Sequence, residues 1–344
     1  MNKIRWGIIG LGNIARKFAE GFKNSPNAKL VAVASKNTQR LSHFQKNYSI
    51  ENKFCFNDYE NLINCSDIDI VYIALPNSFH FRYIVECIKV GKNVLVEKPA
   101  VLNISQIAEI EELLKTNNVF FTEAFMYRFS PHFLKISEII RNNSIGKITN
   151  MESTFKIRVY KLRKIFGFVF RKPNFNGRLF NKDLGGGSIL DLGCYPLSLS
   201  TYINSFVNPT KINSFELKNI KKNICPSSVD ISASAEINFD NNFVSKISCS
   251  FENKLDQKTI IYGDEGTINI NDSWVPNKNC NIEIIYKNKK DIISVDINKE
   301  FYSYEIESIS TQLLDHKIKP DFPAINMEEM KINTLILDKW LQHI

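Results

Sequence analysis

Ile4-Arg5-Trp6-Gly7-Ile8-Ile9-Gly10-Leu11-Gly12-Asn13-Ile14-Ala15 is a mostly apolar run that breaks directly into Gly-x-Gly-x-x-Ala. The run predicts a strand over 4–9, and a helical pattern follows over 13–23. At such a junction the first glycine permits a tight turn. The second lets backbone N–H groups approach a pyrophosphate, and a small Ala15 lets the helix pack on the sheet. The helix N-terminus adds partial positive charge. Gly10, Gly12, Asn13, Ile14 and Ala15 are therefore candidate dinucleotide-binding residues. A plain turn would not need two glycines there.

Outward from this junction, apolar runs alternate with helical stretches. Strands are predicted over 29–34, 68–75, 93–96 and 119–122, and helices over 38–48, 79–90 and 105–116. This alternation is the mark of βαβ units and a parallel sheet. The rhythm changes near Glu123. Helices are expected over 131–142 and 188–203, a strand over 147–158, and a long loop between them. Ile231, Ala233, Ala235, Ile237 and Phe239 alternate with polar residues, and a hairpin returns through Asp240-Asn241-Asn242 to about Phe251. Strands over 259–262, 267–270, 281–286 and 292–295 enlarge an antiparallel sheet, and helices over 300–316 and 327–343 close the chain. The reading is α/β: a doubly wound Rossmann domain over 1–122, then an α/β domain over 123–344 with a large, mainly antiparallel open sheet for substrate binding and oligomerisation.

Composition fits this picture. The chain has 344 residues, 44% hydrophobic and 23% charged, too long for one core and unlike a disordered segment. The net charge of +8 is spread along the chain, which suits anionic small ligands and excludes nucleic acid as the expected partner. The densest basic stretch, 156–172, reads as a surface loop or a phosphate-binding lid. Seven scattered cysteines without a Cys-x-x-Cys pair point to a reducing, cytoplasmic setting, and five histidines without paired spacing point to no metal. The first residues show no secretory leader, and no run is long enough to span a bilayer.

Where an NAD-binding domain offers a carboxylate to the ribose, this chain has Ser35-Lys36-Asn37, with Arg40 one turn later. A hydroxyl and two cations suit a 2′-phosphate, so NADP(H) is expected over NAD(H). The alternative is that both cations lie on a solvated helix face. Leu75-Pro76-Asn77-Ser78-Phe79-His80 and Glu97-Lys98-Pro99 follow further strands, where ligands of open α/β sheets bind. Leu75, Pro76, Asn77, His80 and Glu97 are candidate cofactor-side residues, and Lys98 is a candidate catalytic cation. In Gly185-Gly186-Gly187-Ser188 through Asp191 and Tyr195, the i, i+4 pair Asp191 and Tyr195 would share one helix face. A tyrosine beside an ammonium can pass a proton to or from a carbonyl oxygen. The same spacing also suits a face that only packs a tyrosine.

These motifs, together with Glu123-Ala124-Phe125-Met126-Tyr127-Arg128-Phe129 and Gly263-Asp264-Glu265-Gly266-Thr267-Ile268, resemble the Gfo/Idh/MocA oxidoreductases in order and over essentially the whole chain. The resemblance implies dimers or tetramers built on the open sheet and NAD(P)-linked chemistry on a sugar, nucleotide-sugar or cyclic polyol. It matches Lys98 to the family's catalytic lysine, Asp191 to its substrate-site aspartate and Tyr195 to the acid–base position. Tyrosine there is similar to the branch with glucose–fructose oxidoreductase and dimeric dihydrodiol dehydrogenase. Lys98, Tyr127, Arg128, Asp191 and Tyr195 become candidate substrate contacts, and Arg178 resembles a cofactor-side arginine. A redox-neutral enzyme with a tightly held cofactor and a non-catalytic NADP(H)-binding sensor are the alternatives.

Overall fold

The computed structural model describes residues 2–160, 173–207, 212, 214–287 and 289–343. The chain divides into two compact units, Met1–Ser130 with Asn298–Lys331, and Pro131–Ile297 with Ile332–Ile344. In the first, β1 (Ile4–Ile9), β2 (Ala28–Ala34), β3 (Cys55–Phe56), β4 (Ile70–Ile73), β5 (Asn93–Glu97) and β6 (Phe121–Ala124) form one parallel sheet. Its order is β3-β2-β1-β4-β5-β6, the doubly wound arrangement. The crossovers carry α1 (Asn13–Gly21), α2 (Thr38–Tyr48), α3 (Tyr59–Ile63), α4 (Asn77–Lys89) and α5 (Ile104–Thr116). β4 is buried at every residue, as a parallel strand covered on both faces must be. β3 and α3 were not expected from the sequence, because two and five residues are too few to set a period.

The second unit holds α6 (Pro131–Arg141), β7 (Ile148–Lys156), a π-helical turn (Ile189–Gly193) and α7 (Cys194–Val207). Seven strands follow: β8 (Phe215–Ile224), β9 (Asp230–Phe239), β10 (Val244–Ser250), β11 (Thr259–Gly263), β12 (Gly266–Ile270), β13 (Asn279–Tyr286) and β14 (Lys289–Asp296). They pair with β7 in the order β14-β13-β12-β11-β7-β10-β9-β8, antiparallel except for β7 with β10. Ile231, Ala233, Ala235, Ile237 and Phe239 are buried on one face, and α7 packs on β7 and β10. The opposite face is polar, with Ser248 Oγ 3.0 Å from Thr154 Oγ1 and Lys246 Nζ 3.2 Å from Glu152 Oε1. The sequence reading missed β8. It is the lysine-rich edge strand, broken by an irregularity between Lys218 and Lys221, and such edges lack clean apolar alternation.

Two expectations need correction. Residues 123–344 are not one domain, since α8 (Phe301–Leu314) belongs to the first unit. There Trp6 Nε1 donates to Ser310 Oγ at 3.0 Å, and Gly21 gives α8 room: a Cβ on it would lie 2.9 Å from Ile306 Cδ1. An apolar helix pattern shows that a core exists, not which core. α9 (Met327–Gln342) runs across the division at Lys331/Ile332. Nor is 188–203 a single α-helix. Pro196 has no N–H to donate to the Leu192 carbonyl, and the backbone before it winds as a π turn, with the Cys194 N–H on Ile189 O. Within the basic stretch 156–172, residues 161–172 lie outside the described residues. Among the described residues no helix is long and apolar enough to cross a membrane.

Candidate active site

The glycine turn between β1 and α1 is built as the sequence requires. Gly10 has φ +87°, and a Cβ there would sit 2.7 Å from the Ala74 carbonyl oxygen. A Cβ on Gly12 would meet nothing within 4 Å, so this glycine keeps open space before the helix. Gly12 is also the N-cap of α1 and brings no side-chain cap, which leaves the first N–H groups for a ligand. Ala15 is fully buried against the sheet, while Asn13 is exposed and Ile14 half-buried.

A cavity of about 250 Å³ opens here, lined by Gly12, Asn13, Arg16, Arg40 and His43 among others. None of the described residues lining it is a carboxylate. Ser35 Oγ accepts the Asn37 N–H at 3.1 Å, and Asn37 Oδ1 accepts the Arg40 N–H at 2.9 Å, so Ser35 and Asn37 shape the turn that presents Arg40. Lys36 is exposed, its Nζ 5.8 Å from the Tyr59 ring centroid. Arg16 and His43 were not anticipated. The available signal was a basic residue one turn into the helix after the glycines. An open glycine, an uncapped helix end and two guanidinium groups fit the phosphates of a dinucleotide.

At the ends of β4 and β5 the first unit places Leu75, Pro76, Asn77 and His80 beside Glu97-Lys98-Pro99. Pro76 caps α4. His80 is fully buried, with Nε2 2.8 Å from Leu75 O and Nδ1 2.9 Å from Pro99 O, so its ring sits between the two strand ends. The Lys98–Pro99 bond is cis. Tyr72 donates its hydroxyl proton to Glu97 Oε1, and burial beside this carboxylate pushes the Tyr72 phenol well up. Glu123, at the end of β6, accepts the Ala100 N–H on Oε1 at 2.8 Å. Its burial pushes its carboxyl up to about 7, against the opposing pull of that N–H, Lys98 and Arg128. Tyr127 and Arg128 are buried, and Arg128 Nη1 pairs with Glu329 Oε1 at 2.9 Å.

In the second unit Arg178 Nη1 lies 2.9 Å from Asp191 Oδ1, which joins two of the expected residues. Asp191 stands in the π turn and Tyr195 in the first turn of α7, so the two do not belong to one continuous α-helix as expected. The Tyr195 ring meets Phe155 edge-on at 5.2 Å and Trp274 at 5.7 Å. The glycine run makes room for protein rather than ligand. A Cβ on Gly186 would meet the carbonyl oxygens of Arg178, Leu179 and Asn181 at 2.7–2.8 Å, and one on Gly187 would meet Asp230 Oδ1 at 2.4 Å. Asp230 was missed by the sequence reading. Its Oδ2 accepts Ser188 Oγ–H at 2.6 Å and the Ile189 N–H at 2.7 Å, which anchors the π turn.

Comparison with known proteins agrees with this architecture. Residues 4–125 match the family described as an oxidoreductase family with an NAD-binding Rossmann fold, and residues 133–269 match the GFO/IDH/MocA C-terminal domain. A trans-1,2-dihydrobenzene-1,2-diol dehydrogenase of Xenopus tropicalis is 26% identical over 349 residues, covering 99% of this chain and 98% of its own. An oxidoreductase of Formosa agariphila is 32% identical over 274 residues, covering 78% and 79%. A 3-ketoreductase from Actinomadura kijaniata, solved with NADP and TDP-benzene, has the same fold, with a TM-score of 0.81 at 20% identity and coverage of 98% and 96%. With the family's two domain models matched in order over residues 4–125 and 133–269, the chain belongs to the Gfo/Idh/MocA oxidoreductases.

Proposed function

We propose that this oxidoreductase uses NADP(H) to move a hydride to or from a carbon of a sugar, nucleotide-sugar or cyclic polyol. The observation that carries the reading is the glycine cradle flanked by Arg16 and Arg40, with no carboxylate among the described residues that line it, which suits a 2′-phosphorylated dinucleotide. The diol dehydrogenase and the NADP-bound 3-ketoreductase among its relatives support the same substrate class and cofactor. Seven scattered cysteines without a Cys-x-x-Cys pair support a cytoplasmic setting.

A bound nicotinamide supplies the hydride acceptor or donor at C4. The chain's own residues do the rest. Lys98, half-buried at the end of β5, anchors the substrate hydroxyl with its ammonium. Tyr195 moves the proton: in reduction its O–H proton passes to the carbonyl oxygen as the hydride reaches the carbon, and in oxidation both return. Asp191, held by Arg178, orients the substrate. Leu75, Pro76, Asn77, His80 and Glu97 form the cofactor-side wall, and Tyr127 and Arg128 support the substrate side.

The test is turnover followed by NADPH absorbance over a panel of aldoses, cyclic polyols, trans-dihydrodiols and keto-sugars. With the best substrate, Tyr195→Phe and Lys98→Met should each lose about 10²- to 10⁴-fold in kcat while NADP(H) affinity changes little. Because both act on one proton, the losses should not add in the double variant. Near-parental turnover in Tyr195→Phe would sink the reading.

A further inference from the structure

Glu123 had no assigned part in the chemistry, yet its surroundings are unusual for a carboxyl group. The residue is 5% exposed. β6 pairs with β5 so that Val96 stands opposite Glu123 and Glu97 opposite Ala124, which puts the carboxyl beside the end of the strand that carries Lys98. Its Oε1 takes the N–H of Ala100, two residues beyond that lysine. His80 holds the intervening Pro99 carbonyl from the side of α4. The turn is therefore gripped at consecutive residues, by an imidazole at Pro99 and a carboxylate at Ala100.

We propose that Glu123 is a positioning residue for Lys98: by accepting the Ala100 N–H, its carboxylate fixes the turn that carries the lysine and sets a negative charge facing the ammonium. A neutral carboxyl accepts that N–H more weakly and offers no such charge. The groups facing Glu123 are Lys98 and Glu97 from the end of β5 and Arg128 from the turn after β6, the last paired with Glu329 of α9. Burial and Glu97 oppose its ionisation, while Lys98, Arg128 and the Ala100 N–H favour it. The balance leaves the carboxyl titrating at about 7, so the grip on Lys98 tightens across the neutral range. Ionisation also works against folding. A carboxyl raised in the folded state stabilises below its ordinary value, and that contribution is lost as pH rises through about 7.

The inference rests on the reading of Lys98 as the group at the substrate, and Glu123→Gln tests it without removing the acceptor for Ala100. In NADP⁺-saturated protein labelled with ¹⁵N-alanine, the Ala100 amide shift should titrate near pH 7 in the parent and stay flat in the variant. With the best substrate of the panel, the parent's kcat should fall below about pH 7. The variant should lack this acid limb and run roughly tenfold slower on the plateau, with substrate KM little changed. The variant should also melt higher than the parent at pH 8, a gap that closes toward pH 5. A flat Ala100 shift in the parent, an unchanged acid limb in the variant, or a lower melting temperature at pH 8 overturns the proposal. An active Lys98→Met would instead bring down the reading of the site. An inactive Lys98→Met beside a Glu123→Gln enzyme of parental rate and profile would remove the present inference alone.

Discussion

We propose that cofactor choice is set by single side chains at the mouth of α1. Arg16 and Arg40 line the same cavity as Gly12, whereas Ser35 is turned to the Asn37 N–H and Lys36 lies near the Tyr59 ring. To the Arg40 already expected from the sequence the cavity adds Arg16, so one guanidinium comes from each of the first two helices. NADP(H) should bind at least about tenfold more tightly than NAD(H), roughly 1.4 kcal/mol. Replacing Arg40 by Ala should erase most of that preference while leaving NAD(H) affinity nearly unchanged, because only the 2′-phosphate distinguishes the two. Fluorescence titration of both cofactors checks this, and equal affinities in the parent protein would remove the case for NADP(H).

At the scale of an element, the π turn at Ile189–Gly193 is the feature that carries the candidate residues of the second unit. It places Asp191 against Arg178 and starts α7 with Tyr195 in its first turn. Its anchor is Asp230 at the start of β9, reached because Gly187 has φ +120° and no side chain. Gly187→Ala would bring a Cβ to 2.4 Å from Asp230 Oδ1 and strain the backbone at a positive φ. The cost should be about 2 kcal/mol or more, read as a drop of several degrees in thermal unfolding. Activity should fall further than stability at a permissive temperature, since Asp191 and Tyr195 both ride on the turn. A variant with parental melting and parental kcat would show that the turn tolerates the shift.

For the whole molecule, the open sheet of the second unit is the surface on which assembly should occur, as the family resemblance implies. Its apolar face is buried, and the face left uncovered bears Ser234, Lys246, Ser248, Glu152 and Thr154 around a groove of about 480 Å³. A homodimer or homotetramer joined there would be hydrogen-bonded rather than oily. Light scattering at micromolar concentration should give a multiple of the chain mass, and Ser234→Arg, opposite Ser248 in the register, should lower it. A monomeric parent would end this expectation. The sequence by itself determined the parallel sheet, the glycine turn, Lys98 after β5 and the alternating strands, because each is a local pattern of period, turn residue or strand end. Tertiary structure alone decided the rest. Residues 298–331 join the first unit because apolar helices carry no address, the glycine at 187 makes room for Asp230 distant in sequence, and Glu123 gains its role only when β6 settles beside β5. Burial and charge from remote segments set those outcomes, and no window along the chain contains them.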